Sequence, residues 1–450
     1  MRRSLATFFL CLVPGAGLAC ALPPSVVLTL PTGHYIAGAG ATVAITAVLG
    51  SRGQRLPDLS QHLIARHRVI LPGVVTSYLA FLVFVGLVLI GLFGATDPMH
   101  NLLTLVFWTG VWIALPLASM VFGNLWRHMN PWTAPVRIAR ILIGRRGGAG
   151  LGRLGHWPAV AGLAGFLWFQ LVSLSPEDPA TLATAALIYW LAIFALAVAE
   201  GEDWLQQGEF LTVFMGLVAR IAPLWSEVQG DRVSVYAGFP GAQVLRMPPL
   251  DAGQTAFVTL ALAGLSFDGL METFWWLALV GENPLEFTGR SAVIGVNTAG
   301  LFGAWALTHL AIAAVLRLGQ RLGEGFRAGP VMLSFLAIAA GYHAAHYLTT
   351  LLTAGQFTLS ALNDPLFRGD AILGMEPFYV SFGFLSDPWL STLLYGAQFA
   401  AILGAHLLAV VLALKLSGPG ARGLAHLPLA ALMTGYTVFG LWLLSTARGT

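Results

Sequence analysis

Apolar residues run along this chain in long blocks, not in the short alternations of soluble strands and helices. Ten blocks are long enough to cross a bilayer, which takes about 20 residues of helix. They lie near 33–50, 69–94, 102–122, 158–175, 183–200, 254–280, 292–317, 330–354, 391–414 and 428–446. Short polar connections separate them, with three longer ones at 123–157, 201–253 and 355–390. The pattern predicts an all-α polytopic membrane helix bundle with about ten transmembrane helices, forming one integral-membrane domain over 22–450.

An eleventh apolar run, Leu5 to Leu18, is too short for a comfortable span and follows the positive start Met1-Arg2-Arg3. Ala19-Cys20-Ala21 fits a small-x-small cleavage site. A signal peptide over 1–21, cleaved after Ala21, is expected. Cys11 and Cys20, the two cysteines of the chain, both fall within it. The mature chain then has no thiol, which removes disulfides, thiolate nucleophiles and iron–sulfur clusters. Any site must be built from histidine, carboxylates, hydroxyls or arginine.

Composition agrees with the pattern. The chain is 57% hydrophobic and 10% charged, against about 25% charged in soluble domains. A soluble enzyme and a disordered chain are excluded. The pI near 9.0 does not mark a nucleic-acid binder, because the positive charges are sorted by position. With the mature N-terminus outside, eighteen Arg and Lys fall in inner connections and three, Arg290, Arg368 and Arg448, fall outside. The positive-inside rule then predicts a bacterial inner membrane, with both mature termini periplasmic and the lipid bilayer as the first partner.

Several connecting motifs carry weaker expectations. The basic run Gly144-Arg145-Arg146-Gly147-Gly148 reads as a solvated topology signal near anionic lipid. Phe210 to Pro223 reads as an amphipathic stretch at the interface. Val233 to Val244 is a candidate small hairpin. The run from Gly123 to Trp132 reads as an interfacial anchor, in a headgroup-binding or structural role rather than a catalytic one. Trp275 and Trp276 suit an outer aromatic belt, or a pocket wall beside Glu272. Gly435 to Gly440 suits close helix packing. The outer connections hold nine acids against those three bases, the mirror image of the inner arginines. There is no phosphate-binding loop, nucleophile elbow or dinucleotide fingerprint.

Ionisable residues inside apolar blocks cost about 2.5–3.5 kcal/mol on insertion scales, so each is a functional candidate. Asp268 and Glu272 are spaced i, i+4 and share a helix face; His343 and His346, at i, i+3, share another. His406 and His309 stand alone in their blocks. At about 1.5 Å per residue, Asp268 and His343 fall near mid-span, His346 about 4 Å and Glu272 about 6 Å further out. His406 falls a little to the inner side. Asp268, Glu272, His343, His346 and His406 would meet at one level if their helices are neighbours. His309, deeper still, is expected to be a hydrogen-bonded bundle residue.

Imidazoles with carboxylates suit a transition metal ion such as zinc, iron, copper or manganese. On that reading His343, His346 and His406 are ligands, Asp268 is a ligand or orients one, and Glu272 is the general base for a bound water. Two other readings stay open. One is b-type haem held by His343 and His406. The other is a proton-coupled secondary transporter of a small solute, in which Asp268 and Glu272 titrate. Broken helices would favour the transporter, and Pro116 is positioned to break one. A structural or assembly role with a partner subunit is the remaining class.

Several stretches resemble a family of poorly characterised bacterial polytopic membrane proteins. They are Trp126-Arg127 with Asn130-Pro131, Phe267-Asp268-Gly269, Trp275-Trp276, and Tyr342-His343-Ala344-Ala345-His346-Tyr347. Gly355-Gln356, Asn363-Asp364-Pro365, Gly435-Tyr436-Thr437 and Gly440-Leu441-Trp442 complete them. Some members of that family carry the label fenitrothion hydrolase. The resemblance implies a metal-assisted hydrolase of phosphoester-like small molecules, and it carries no catalytic roles across.

Overall fold

The computed structural model describes residues 32–51, 56–286, 289–376, 378–418, 421 and 423–446. The expected signal peptide, its cleavage point and both cysteines lie outside the described residues. Among those residues nine helices are long and apolar enough to cross a membrane: α1 (Thr32–Ser51), α2 (Gly73–Phe93), α3 (Leu102–Phe122), α5 (Pro179–Glu200), α7 (Ala252–Met271), α8 (Arg290–Leu322), α9 (Ala328–Asn363), α10 (Pro388–Leu416) and α11 (Gly423–Ser445). Two shorter apolar helices, α4 (Trp157–Leu171) and α6 (Phe210–Ile221), complete the set. The chain is an all-α membrane protein.

The tenth expected span, 158–175, is α4, and it is short. Fifteen residues rise about 22 Å at 1.5 Å each, less than the hydrocarbon thickness of about 30 Å. Pro176 lies just beyond, and a proline biases the residue before it away from helix. Asp178 then caps α5 by accepting from the Thr181 N–H, with Pro179 in the first turn. The expected block 254–280 also divides. α7 ends at Met271, Thr273 caps a new short helix, Phe274–Leu279, and Glu272 sits at the junction.

α6 corrects the reading of 210–223 as an interfacial helix. Of its residues Phe210–Val218, all but Gly216 are buried. A helix apolar on every side belongs inside, not at a surface. α7 and α9 are the most enclosed of the long helices, with 72% of their most apolar stretch buried. α9 packs against α3, α6, α7 and α10. Gly341 lets α9 and α10 approach: a Cβ there would come within 2.2 Å of the Ala405 Cβ and 2.8 Å of the Ala401 oxygen.

At the arginine-rich end the connections form a three-stranded antiparallel sheet in the order β1-β3-β2: β1 (Gln61–Arg68), β2 (Leu224–Gln229) and β3 (Arg232–Gly238). The hairpin is β2–β3, earlier in the chain than expected. It turns on Gly230-Asp231, and Gly230 has φ +62°, which a glycine adopts without cost. Trp225 lies opposite Tyr236 and stacks on it at 5.6 Å. Arg127 holds β2 by donating Nη1 to the Ser226 carbonyl and Nη2 to the Ser226 hydroxyl, each at 3.1 Å.

The basic Gly-rich loop is tied down as well. Arg140 Nη1 donates to the Val198 carbonyl at 2.7 Å and Arg145 Nε to the Ala199 carbonyl at 3.0 Å. Both serve the last carbonyls of α5, where cations are favoured by the helix dipole. These contacts join connections that the arginine count puts on one side.

Candidate functional site

Asp268 is buried on α7, and α9 brings two partners to one of its oxygens. His346 Nε2 lies 2.9 Å from Asp268 Oδ2, and the Tyr347 hydroxyl donates to the same oxygen at 2.8 Å. Tyr347 is itself held from two sides. Its oxygen accepts the Trp112 indole N–H at 3.1 Å and a Gln170 amide N–H at 2.9 Å. One donation and two acceptances use the whole capacity of a hydroxyl. As an ionised carboxylate Asp268 can only accept, and His346 then donates from Nε2. Its Nδ1 is buried without a hydrogen-bond partner among the described residues.

His343, one turn away, faces a different group. Its Nε2 lies 3.0 Å from the Trp112 carbonyl oxygen, and its Nδ1 has no partner among the described residues. The backbone of α3 explains why that carbonyl is available. Pro116 has no N–H to offer the carbonyl four residues back, and its ring crowds it. The helix widens to π geometry over Val106–Ala114, and Leu115 N–H bonds to the Gly110 oxygen. Such widened segments occur often at functional sites. Trp112 thus meets α9 twice, giving its side-chain N–H to Tyr347 and its carbonyl to His343.

The other expected members fall elsewhere. His406 is buried on α10 with Nδ1 2.8 Å from the Ile402 carbonyl, and its ring neighbours Tyr436 at 6.4 Å. Its described bonds do not join the Asp268 cluster. Glu272 is half-buried at the end of α7. His309 Nδ1 pairs with the Thr259 hydroxyl at 3.1 Å, as a bundle residue should. Trp276 donates to Asn297 at 2.9 Å, while Trp275 is exposed. Among the described residues, no three His, Cys, Asp or Glu groups converge to hold a metal ion.

A second polar cluster was not singled out from the sequence. Glu209 is fully buried at the N-terminus of α6. It accepts from the Tyr189 hydroxyl at 2.8 Å, the Leu211 N–H at 2.9 Å, the Thr212 N–H at 2.7 Å and the Thr212 hydroxyl at 2.6 Å. Thr212 in turn takes the Trp126 indole N–H at 3.1 Å and an Asn130 amide N–H at 3.0 Å. The stretch from Trp126 to Trp132 is therefore not an interfacial anchor. Trp126, Asn130 and Trp132 are buried; the first two brace α6 through Thr212, and Trp132 donates to the Trp190 carbonyl of α5. His128 stays at the surface of this motif; burial first, and then the Arg127 charge, hold its pKa below the usual imidazole value.

Comparison with protein-family models, curated proteins and solved structures gives no match.

Proposed function

We propose that the protein is a proton-coupled secondary transporter of a small solute, and that Asp268 and His346 handle the proton. One observation carries the reading: Asp268 Oδ2 receives both the His346 Nε2–H and the Tyr347 O–H inside the bundle. His346 has a lone pair on Nδ1 to take a proton. Passing the Nε2 proton to Oδ2 then makes Asp268 the neutral acid and leaves the imidazole neutral in its other tautomer. One proton enters and one moves on, so charge balances. Tyr347, held by Trp112 and Gln170, keeps the accepting oxygen in place. The widened segment of α3 and the junction at Glu272 supply irregular backbone beside the site, as transporter sites require. We assign the chain to a bacterial inner membrane with both mature termini periplasmic, on the eighteen-to-three split of positive charge and with the short α4 as the tenth crossing.

The resemblance to proteins labelled as hydrolases supports a second reading, metal-assisted hydrolysis of phosphoester-like compounds. His343, His346 and His406 each leave one ring nitrogen without a hydrogen-bond partner among the described residues, as metal-binding histidines do.

Infrared difference spectra of reconstituted protein, acid against alkaline, test the first reading. They should contain a protonated-carboxyl band that disappears in Asp268→Asn and shifts in His346→Gln. Spectra identical in wild type and Asp268→Asn would overturn it. About one equivalent of a transition metal, lost in the His343→Ala/His346→Ala double variant together with hydrolysis of a phosphoester probe, would support the second.

A further inference from the structure

A cavity of about 810 Å3 lies between α2, α3, α4, α5 and α6, and no residue of the hydrogen-bonded cluster at Asp268 lines it. That volume is within the range of about 300–1,000 Å3 typical of ligand sites. Small residues make the room. Ala161, Gly162 and Gly165 of α4, and Ala185 and Ala186 of α5, all line it. A Cβ added at Gly165 would meet nothing within 4 Å. Protein interiors ordinarily pack to near-crystalline density, so a chamber of this size is a built feature.

Most polar groups on its wall are already spent. The Tyr189 hydroxyl goes to Glu209 and the Thr76 hydroxyl to the Gly73 carbonyl. The Trp126 and Trp132 indole N–H groups go to Thr212 and to the Trp190 carbonyl. His128 accepts from Arg127 through Nε2. A water cluster or polar solute needs two to four partners per molecule, and the chamber offers it almost none. Such a wall suits a hydrocarbon occupant. The chamber also opens toward the bilayer: Leu79 and Val83 of α2 line it and are 53% and 61% exposed.

We propose that this chamber takes up an acyl chain of a bilayer phospholipid, which enters past Leu79 and Val83 and lies along Gly165. The inference is independent of the proton-handling reading of Asp268.

The test uses the full chain reconstituted with phosphatidylethanolamine and phosphatidylglycerol, extracted in mild detergent, washed and weighed by native mass spectrometry. Wild type should retain at least one phospholipid through washing. Gly165→Phe, which fills the chamber, should lose it, and Gly165→Leu should retain it in part. Gly303→Phe, at an exposed position on α8 where a Cβ also meets nothing, should behave as wild type. Circular dichroism confirms that each variant is folded. Equal retention by wild type and folded Gly165→Phe would overturn the proposal. So would a wild-type chamber that takes a soluble apolar probe but never a phospholipid.

Discussion

His343 Nε2 sits 3.0 Å from the carbonyl oxygen of Trp112, an oxygen that Pro116 cannot serve. The pair joins a side chain on α9 to the backbone of α3 through a defect in α3. Replacing an interior helical proline normally recovers about 3 kcal/mol. Here, Pro116→Ala would introduce an N–H that competes for the Trp112 carbonyl. A displaced His343 N–H, buried without an acceptor, costs about 1–3 kcal/mol. Pro116→Ala is therefore expected to gain little or to lose stability. Thermal melting in detergent measures it, and a gain near the full proline cost would refute the role given to this carbonyl.

Tyr347 is the hub of the Asp268 cluster. Tyr347→Phe strips a hydroxyl that serves Trp112, Gln170 and Asp268 together. Asp268 keeps His346, but the Trp112 and Gln170 N–H groups lose their acceptor at about 1–3 kcal/mol each, so the expected loss is about 2–6 kcal/mol. Combined with Asp268→Asn, the two losses should fall short of their sum by about 0.5–3 kcal/mol, as for contacting residues. Strict additivity in this cycle would show that the bond between them contributes nothing.

Glu209 faces donors only. Thr212 already accepts two N–H groups, so its hydroxyl must donate to Glu209, beside the Leu211 and Thr212 backbone N–H groups. An amide in its place would turn an NH2 toward at least one of those donors. Glu209→Gln, although nearly the same shape, should cost about 1–3 kcal/mol and lower the melting temperature. A variant as stable as wild type would mean that the carboxyl is held protonated.

Legibility in the sequence followed physical distinctness. Spans stood out because lipid requires long apolar runs. Asp268, His343 and His346 stood out because ionisable groups are rare in such runs. Tyr347, Trp112 and Gln170 did not, because aromatic and amide residues look ordinary in a membrane helix. Pro116 marked a disturbance in α3 but not that the helix would widen to π geometry. β1 was missed because Gln61–Arg68 alternates poorly and its partner strand begins at Arg232. α6 did carry a signal that went unread. Phe210–Val218 is apolar on every side, which argues burial, and Glu209-Phe210-Leu211-Thr212 places an acceptor where a helix N-terminus needs one.

Glu177, in the connection between α4 and α5, gives a pH signature. Burial raises its carboxyl pKa above the ordinary value, against the opposing pull of Arg290. The folded state thus binds this proton more tightly than the unfolded state. The stability from that difference is fully present below the unfolded carboxylate value and is lost as pH rises through the raised folded one. Melting temperature should fall with pH across that window, and Glu177→Gln should flatten the fall. An unchanged slope in the variant would assign the effect to another group.

Membrane sidedness is open to a direct chemical test. Asp231 lies at the exposed turn of the β2–β3 hairpin, and Asp370 is exposed in the connection after α9. The hairpin pairs with β1, and both connections belong to the arginine-rich set. The connection after α9 carries Asp364, Asp370, Glu376 and Asp387 against Arg368 alone. Single cysteines at 231 and 370, in a chain with Cys11 and Cys20 replaced by serine, should react with a membrane-impermeant maleimide from opposite sides. Position 370 should label in intact cells stripped of their outer membrane, and position 231 only in inverted vesicles. Labelling of both from one side would break the arginine argument. It would also require an even number of crossings between β3 and the end of α9, where α7, α8 and α9 now provide three. Reversed labelling would keep that count and invert the orientation, putting the acidic connection in the cytoplasm.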